Sequence, residues 1–154
     1  MKHIELLLLS ALLLTVVGCS KKEMVGSYAD TRIANITTSD CLMKTDALAA
    51  KDMNTDSIAV SIAGNTLSVT HYNMMLDCGS GENIVTSMER VGDTIMVTEN
   101  VGGQGQVDCL CLYNNSFQII DPPPAGRFIL VIKEVCSYLG QPQQRIVYQQ
   151  LFSN

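Results

Sequence analysis

Cysteine carries most of the chemistry available to this 154-residue chain. Six are present: Cys19, Cys41, Cys78, Cys109, Cys111 and Cys136. Cys109 and Cys111 stand two apart in Val107–Tyr113, a run that reads as a strand, so both side chains leave one face about 7 Å apart. That separation is too wide for a bond between them without a bulge. Each can instead meet Cys78, at the end of the strand-like run Leu67–Leu76. Three outcomes follow: a disulfide involving this trio, buried thiols, or a soft-donor metal site in which His71 joins Cys78, Cys109 and Cys111. Such donors suit zinc or copper, but metal knuckles usually place two residues between their cysteines, not one. The disulfide is the leading expectation.

His71 is the second group of interest. Only two histidines occur, and the other, His3, lies in the leader described below. In Leu67-Ser68-Val69-Thr70-His71, strand alternation places His71 on the face of Leu67 and Val69. The expected role is a sheet histidine bonded to a neighbouring strand or to water. No nucleophile or carboxylate stands at a recognisable spacing from it, so no assembled catalytic set is legible and no cofactor is called for. Fifteen acids make a glycosidase pair undiscriminating. No Trp, five Tyr and three Phe speak against a sugar-stacking cleft. The net charge of −5 offers no basic face to displace counterions from phosphates, so no nucleic-acid partner is expected.

These groups need a scaffold, and the chain begins with a piece that leaves it. Met1-Lys2-His3 is a basic start, followed by a twelve-residue apolar run from Leu6 to Val17. That run is shorter than the roughly 20 residues needed to span a bilayer. It ends in Val16-Val17-Gly18-Cys19, a small residue directly before a cysteine, which resembles the lipobox read by lipoprotein signal peptidase. Residues 1–18 are therefore read as a lipoprotein signal peptide and Cys19 as the lipidated residue, with two or three acyl chains as the membrane anchor. Removing them from the 154 leaves 136 residues, one domain by length. Outside the cytoplasm the five remaining cysteines suggest two disulfides and one leftover thiol. The expected pairs are Cys78 with Cys109 or Cys111, and Cys41 with Cys136.

From Ser20 to about Thr55 the chain is polar without sustained periodicity. Residues 19–55 read as a tether, with a first short strand near Ile33 and Ile36. From Ser57 onward short apolar–polar runs recur: Ile58–Ala63, Leu67–Leu76, Ile84–Val91, Thr94–Glu99, Val107–Tyr113, Phe117–Ile120, Phe128–Val135 and Ile146–Leu151. Between them stand breakers such as Gly64-Asn65, Gly92-Asp93, Gly102-Gly103-Gln104-Gly105, Asn114-Asn115 and Pro122-Pro123-Pro124. The pattern predicts an all-β domain over residues 56–154, an antiparallel β-sandwich (Ig-like) of about seven strands. Phe128–Ile132, apolar on both faces, should be a central strand. The glycine run has no helix behind it and reads as a hairpin loop, not a phosphate cradle.

Several segments occur in a recognisable order: Leu67-x-Val69-x-His71-x-Asn73, Leu76-Asp77-Cys78, Asp93-Thr94-Ile95-x-Val97-x-Glu99, Cys109-Leu110-Cys111-Leu112-Tyr113 and Gly126-Arg127-Phe128. This order resembles a group of small cysteine-rich lipoproteins of Bacteroides-type bacteria, over about half the chain. The resemblance implies a lineage and a compartment, and no catalytic residues. In that group two cysteines are adjacent after the Asn/Asp, and another lies two residues before the Cys-x-Cys. Here those positions are Gly79 and Val107, which is how the loss of one disulfide would look. Asn114 stands where the group has Asp. Asp56-Ser57-Ile58 and Asp93-Thr94-Ile95 resemble the acceptor motif for O-linked glycans in such envelopes, which marks Ser57 and Thr94. Ser20 after the lipidated cysteine favours the outer membrane. Lys21-Lys22-Glu23 lacks the acidic run of a surface-export signal, which favours the periplasmic face. The functional expectation is a non-enzymatic, lipid-anchored envelope module with a protein or glycan partner. The alternative is a thiol-based metal or redox protein using Cys78, Cys109 and Cys111.

Overall fold

A computed structural model describes residues 30–46, 56–102, 109–124, 127–138 and 141–153. Residues 1–18, read as a signal peptide, Cys19 and Ser20 to Glu23 lie outside the described residues, as does most of the glycine run. Nine strands are formed among the described residues: β1 (Arg32–Thr38), β2 (Met43–Asp46), β3 (Ser57–Ala63), β4 (Thr66–Asp77), β5 (Ile84–Val91), β6 (Thr94–Val101), β7 (Cys109–Ile120), β8 (Phe128–Tyr138) and β9 (Gln141–Phe152). A single 3₁₀ turn, Gly81–Asn83, precedes β5.

The strands make two sheets. One runs β1-β7-β4-β3, with β2 also on β7, and the other runs β5-β6-β8-β9. β1 covers the Asn115–Ile120 end of β7 and β2 the Cys109–Leu112 end, so one long strand carries two short ones on the same side. Every pairing is antiparallel except β6 with β8. β7, between them in sequence, belongs to the other sheet. The chain therefore crosses the sandwich twice before returning beside β6 in the same direction, the kind of connection a parallel pair requires.

Alternation explains the core. β4 buries Leu67, Val69 and His71, and β6 buries Ile95, Val97 and Glu99, each at every second residue. Leu67, Val69, Phe117 and Ile119 of the first sheet join Ile95, Val97, Phe128, Leu130, Ile132 and Phe152 of the second in one apolar cluster. Each fully buried Leu, Ile, Val or Phe contributes on the order of 1.5–3 kcal/mol. Phe152 stacks on Phe128 with ring centroids 4.7 Å apart, pinning the last strand to β8. A second cluster, Met74, Leu76, Val101, Cys111 and Tyr113, fills the disulfide end.

Two expectations change. Sheet structure starts at Arg32, inside the stretch read as a tether, because β1 and β2 find partners on β7 that their polar composition does not reveal. Asn114-Asn115 is no turn: both lie within β7, and the two runs read on either side are one strand of 12 residues. The irregularity sits opposite, where the β4 register shifts between His71 and Met74 and Asn73 adopts φ +57°. A bulge in the partner strand absorbs the break.

Candidate functional site

Two places gather chemically capable groups. The first lies between the sheets. Strand alternation points His71 of β4 inward, where its side chain is fully buried. Its Nδ1 lies 2.7 Å from Glu99 Oε2 and its Nε2 lies 2.5 Å from Asp56 Oδ1. Both partners are carboxylates, which only accept, so both ring nitrogens donate and the ring is the imidazolium. Burial by itself disfavours that charge, but the hydrogen bonds and charges of Asp56 and Glu99 outweigh it and raise the pKa to about 9. Asp56 follows the same logic in reverse. Burial pushes its carboxyl up, and the bonds and charges of His71 and Arg145 bring it below the ordinary value.

The second oxygen of each acid is also engaged. Asn115 Nδ2 donates to Glu99 Oε1 at 2.7 Å and lies 2.9 Å from Thr86 Oγ1, while Thr38 Oγ1 donates to Asn115 Oδ1 at 3.1 Å. Arg145 of β9 donates to Asp56 Oδ2 at 2.5 Å and to Glu134 Oε2 at 2.9 Å. Three acids face two cations, a balance of −1. The network joins β1, β4 and β7 on one sheet to β5, β6, β8 and β9 on the other, with Asp56 just before β3. Among the described residues no buried side-chain polar atom lacks a partner. Asp56, His71 and Glu134 offer one ligand atom each, all within 4.8 Å of one another, a donor set a divalent cation could use. The guanidinium of Arg145 already supplies positive charge to both of those acids.

The second place is the end of the sandwich held by disulfides. Cys78 is bonded to Cys109 and Cys41 to Cys111, with Cα atoms 5.7 Å apart in each pair. Cys78–Cys109 is one of the pairings expected. Cys41–Cys136 does not form, and neither Cys109 nor Cys111 is free. Cys41 lies just ahead of β2, which pairs on β7 with Lys44 opposite Cys111, whereas Cys136 is on β8 in the other sheet. Among the described residues Cys136 is the free thiol; burial raises its pKa, and the charge of Glu134 adds to that. The proposed metal set of His71, Cys78, Cys109 and Cys111 is not assembled, because the three sulfurs are bonded and His71 is held between acids.

Compared with known proteins, the chain matches no family model, no curated protein and no solved structure.

Beside the bridges lies an open groove of about 290 Å³ with a mixed polar and apolar lining, formed by Thr38, Ser39, Asp40, Cys41, Lys44, Cys78, Gly79, Gly81 and Tyr113. Its walls are fixed. Ser39 Oγ accepts from Asn114 N at 2.9 Å, Tyr113 Oη accepts from Gly79 N at 2.9 Å, and Cys78 N donates to Cys109 O at 3.1 Å. Asp40 and Lys44 put one charge of each sign in exposed positions. Of the two acceptor-motif residues, Ser57 is exposed and Thr94 is half-buried. The acid of the first motif, Asp56, is committed to His71 and Arg145.

Sequence reasoning placed His71 correctly on the inner face but missed Asp56, Glu99, Asn115, Glu134 and Arg145. A signal for two of them was present. Glu99 ends the inward series Ile95-x-Val97-x-Glu99, and Glu134 ends Leu130-x-Ile132-x-Glu134.

Proposed function

We propose that this chain is a non-enzymatic binding module of the bacterial envelope, held by lipid on Cys19 at the periplasmic face of the outer membrane, and that its groove engages a polar peptide segment of an envelope protein. The observation that carries the non-enzymatic part is the state of His71. With one ring nitrogen donated to buried Glu99 and the other to half-buried Asp56, it has no lone pair with which to take a substrate proton. The network fits a structural lock between the sheets. The groove supports the binding part. It is bounded by two covalent bridges, so little ordering is required when a partner binds. Its hydroxyls and one charge of each sign suit a polar chain segment, and the scarcity of aromatic rings makes a glycan the poorer fit. The lipobox and the resemblance to cysteine-rich lipoproteins support the location.

The test is capture from native envelopes with the full chain, comparing the parent with Asp40→Ala/Lys44→Ala and with Glu89→Ala, an exposed control on the other sheet. A defined partner held by the parent and the control, and lost by the groove variant, supports the reading. A partner retained by the groove variant overturns the groove. A partner chemically altered by the protein overturns the non-enzymatic assignment. For the anchor, Cys19→Ser should accumulate as unprocessed precursor; cleaved, membrane-held protein would contradict lipidation.

A further inference from the structure

The edges of the two sheets are not alike. Exposed edges present unpaired N–H and C=O groups, and proteins normally blunt them with charge, proline, bulges or short length. β1 carries Arg32 and a register break between Ala34 and Thr37, with Asn35 at φ +51°. β2 has four residues, two of them charged. β5 carries Glu89 and Arg90. β9 carries Pro142 and Arg145, and its pairing with β8 is interrupted at Ile132/Lys133.

β3 has none of these devices. It ends the first sheet, with β4 on one side and no strand on the other among the described residues. Its seven residues, Ser57-Ile58-Ala59-Val60-Ser61-Ile62-Ala63, include no charge and no proline, and they pair with β4 in unbroken register. The nearest charge in sequence, Asp56, is tied to His71 and Arg145. Ser57, Ala59, Ser61 and Ala63 leave the outer face small and exposed. On the inner face Ile58 and Val60 are half-buried, and Ile62 is 48% exposed.

The sequence of this strand is also self-complementary. Laid antiparallel on a second copy about a two-fold at Val60, Ser57 meets Ala63, Ile58 meets Ile62, Ala59 meets Ser61, and Val60 meets itself. No like charges oppose, small residues meet small ones, and each exposed Ile62 gains an Ile58 beside it. A contact in which the same patch serves both partners is what a closed two-fold dimer needs.

We propose that β3 is a self-association edge, and that two copies of this chain pair β3 to β3 antiparallel about Val60, joining their first sheets into one continuous sheet. This surface is separate from the groove and does not depend on the reading given for it.

The test uses the full chain in isolated envelopes, with Val60→Cys in a Cys136→Ser background and a short bismaleimide. The expected product is a species of twice the chain mass. Adding A59K/S61K opposes lysine to lysine twice across the two-fold and should cut that product by about tenfold. A59K/S61E opposes lysine to glutamate at the same places and should restore it. Both positions are exposed, and circular dichroism of the extracted variants checks that each still folds. If Val60→Cys itself disturbs the fold, co-expressed Ala59→Cys and Ser61→Cys chains should crosslink to each other. Absence of a dimer, a crosslink to a protein of different mass, or an A59K/S61K product equal to that of the parent would overturn the proposal.

Discussion

Raising the pH should unfasten the two sheets, because the charge between them sits on His71. The sign follows from the direction of the shift. His71 titrates near 6.5 when unfolded and about 9 when folded, so the folded state holds the extra proton between those values. Its contribution is complete below about pH 6.5, falls as pH rises through the interval, and is gone above about 9. The shift of 2.5 units corresponds to about 3 kcal/mol, lost at no more than about 1.4 kcal/mol per pH unit. Asp56 acts at the other end: its lowered pKa gives stability that is present above about 3.8 and lost below it. Asp77, whose carboxyl burial raises, acts with the opposite sign to Asp56 from about pH 3.8 upward, while the His71 contribution is constant between about pH 4 and 6.5. Cys136 and Tyr148, raised from 9.0 and 10.0 by burial, add a decline of the same sign only at higher pH, so the window from 6.5 to 8.5 isolates His71. Urea unfolding followed by far-ultraviolet circular dichroism, with the bridges intact, is suitable for a chain without tryptophan. At an m-value of about 1.5–2 kcal/mol per M, the full loss moves the midpoint by about 1.5–2 M. The His71→Gln variant should start less stable at pH 6 and show no slope through the window. A parent whose midpoint stays constant or rises from pH 6.5 to 8.5, or a His71→Gln variant with the parent's slope, would refute the assignment of the charge.

Two further outcomes concern the disulfide end. Gly81→Ala should destabilise by about 1–3 kcal/mol, because an added Cβ would overlap the ring of Tyr113, which holds Gly79 N through its hydroxyl; thermal unfolding of the variant measures it. Non-reducing peptide mapping should recover Cys41 linked to Cys111 and Cys78 to Cys109, with Cys136 as the alkylated residue; at sequence separations of 70 and 31, each bridge contributes roughly 4 kcal/mol through the unfolded chain.

How far the sequence reveals the fold depends on what each strand packs against. β4, β6 and β8 alternate cleanly because one face meets the core, and glycine turns such as Gly64 at φ +56° and Gly92 at φ +60° punctuate them. β1 and β2 are mostly polar in sequence, so only pairing with β7 makes them strands, and pairing leaves no local signature. β9 extends back to Gln141, well ahead of the apolar run at Ile146, because β8 templates the Gln-Pro-Gln-Gln-Arg segment. The disulfides show the same limit. The Cys78–Cys109 bridge joins neighbouring strands whose ends were legible, whereas Cys41–Cys111 depends on where β2 docks.

The charged network was hidden for a related reason, and its pieces become interpretable only together. Alternation assigns a face but never a partner. Read strand by strand, Glu99 and Glu134 look like the polar ends of apolar runs, and His71 looks like one more sheet histidine. An ionised carboxylate cannot be left unpaired in an apolar interior, since the desolvation cost would neutralise or expel it. Two acids at inward positions on β6 and β8 therefore demand cationic or donor groups facing them. His71 lies inward on the sheet opposite, Asn115 lies inward at the site read as a turn, and Arg145 reaches in from the edge strand beside Glu134. Asp56 closes the set by bonding both His71 and Arg145. Removing one member of such a buried set leaves an uncompensated charge, which typically costs about 3–5 kcal/mol. The polar residues thus constrain how the two sheets are registered, which apolar packing alone would leave looser.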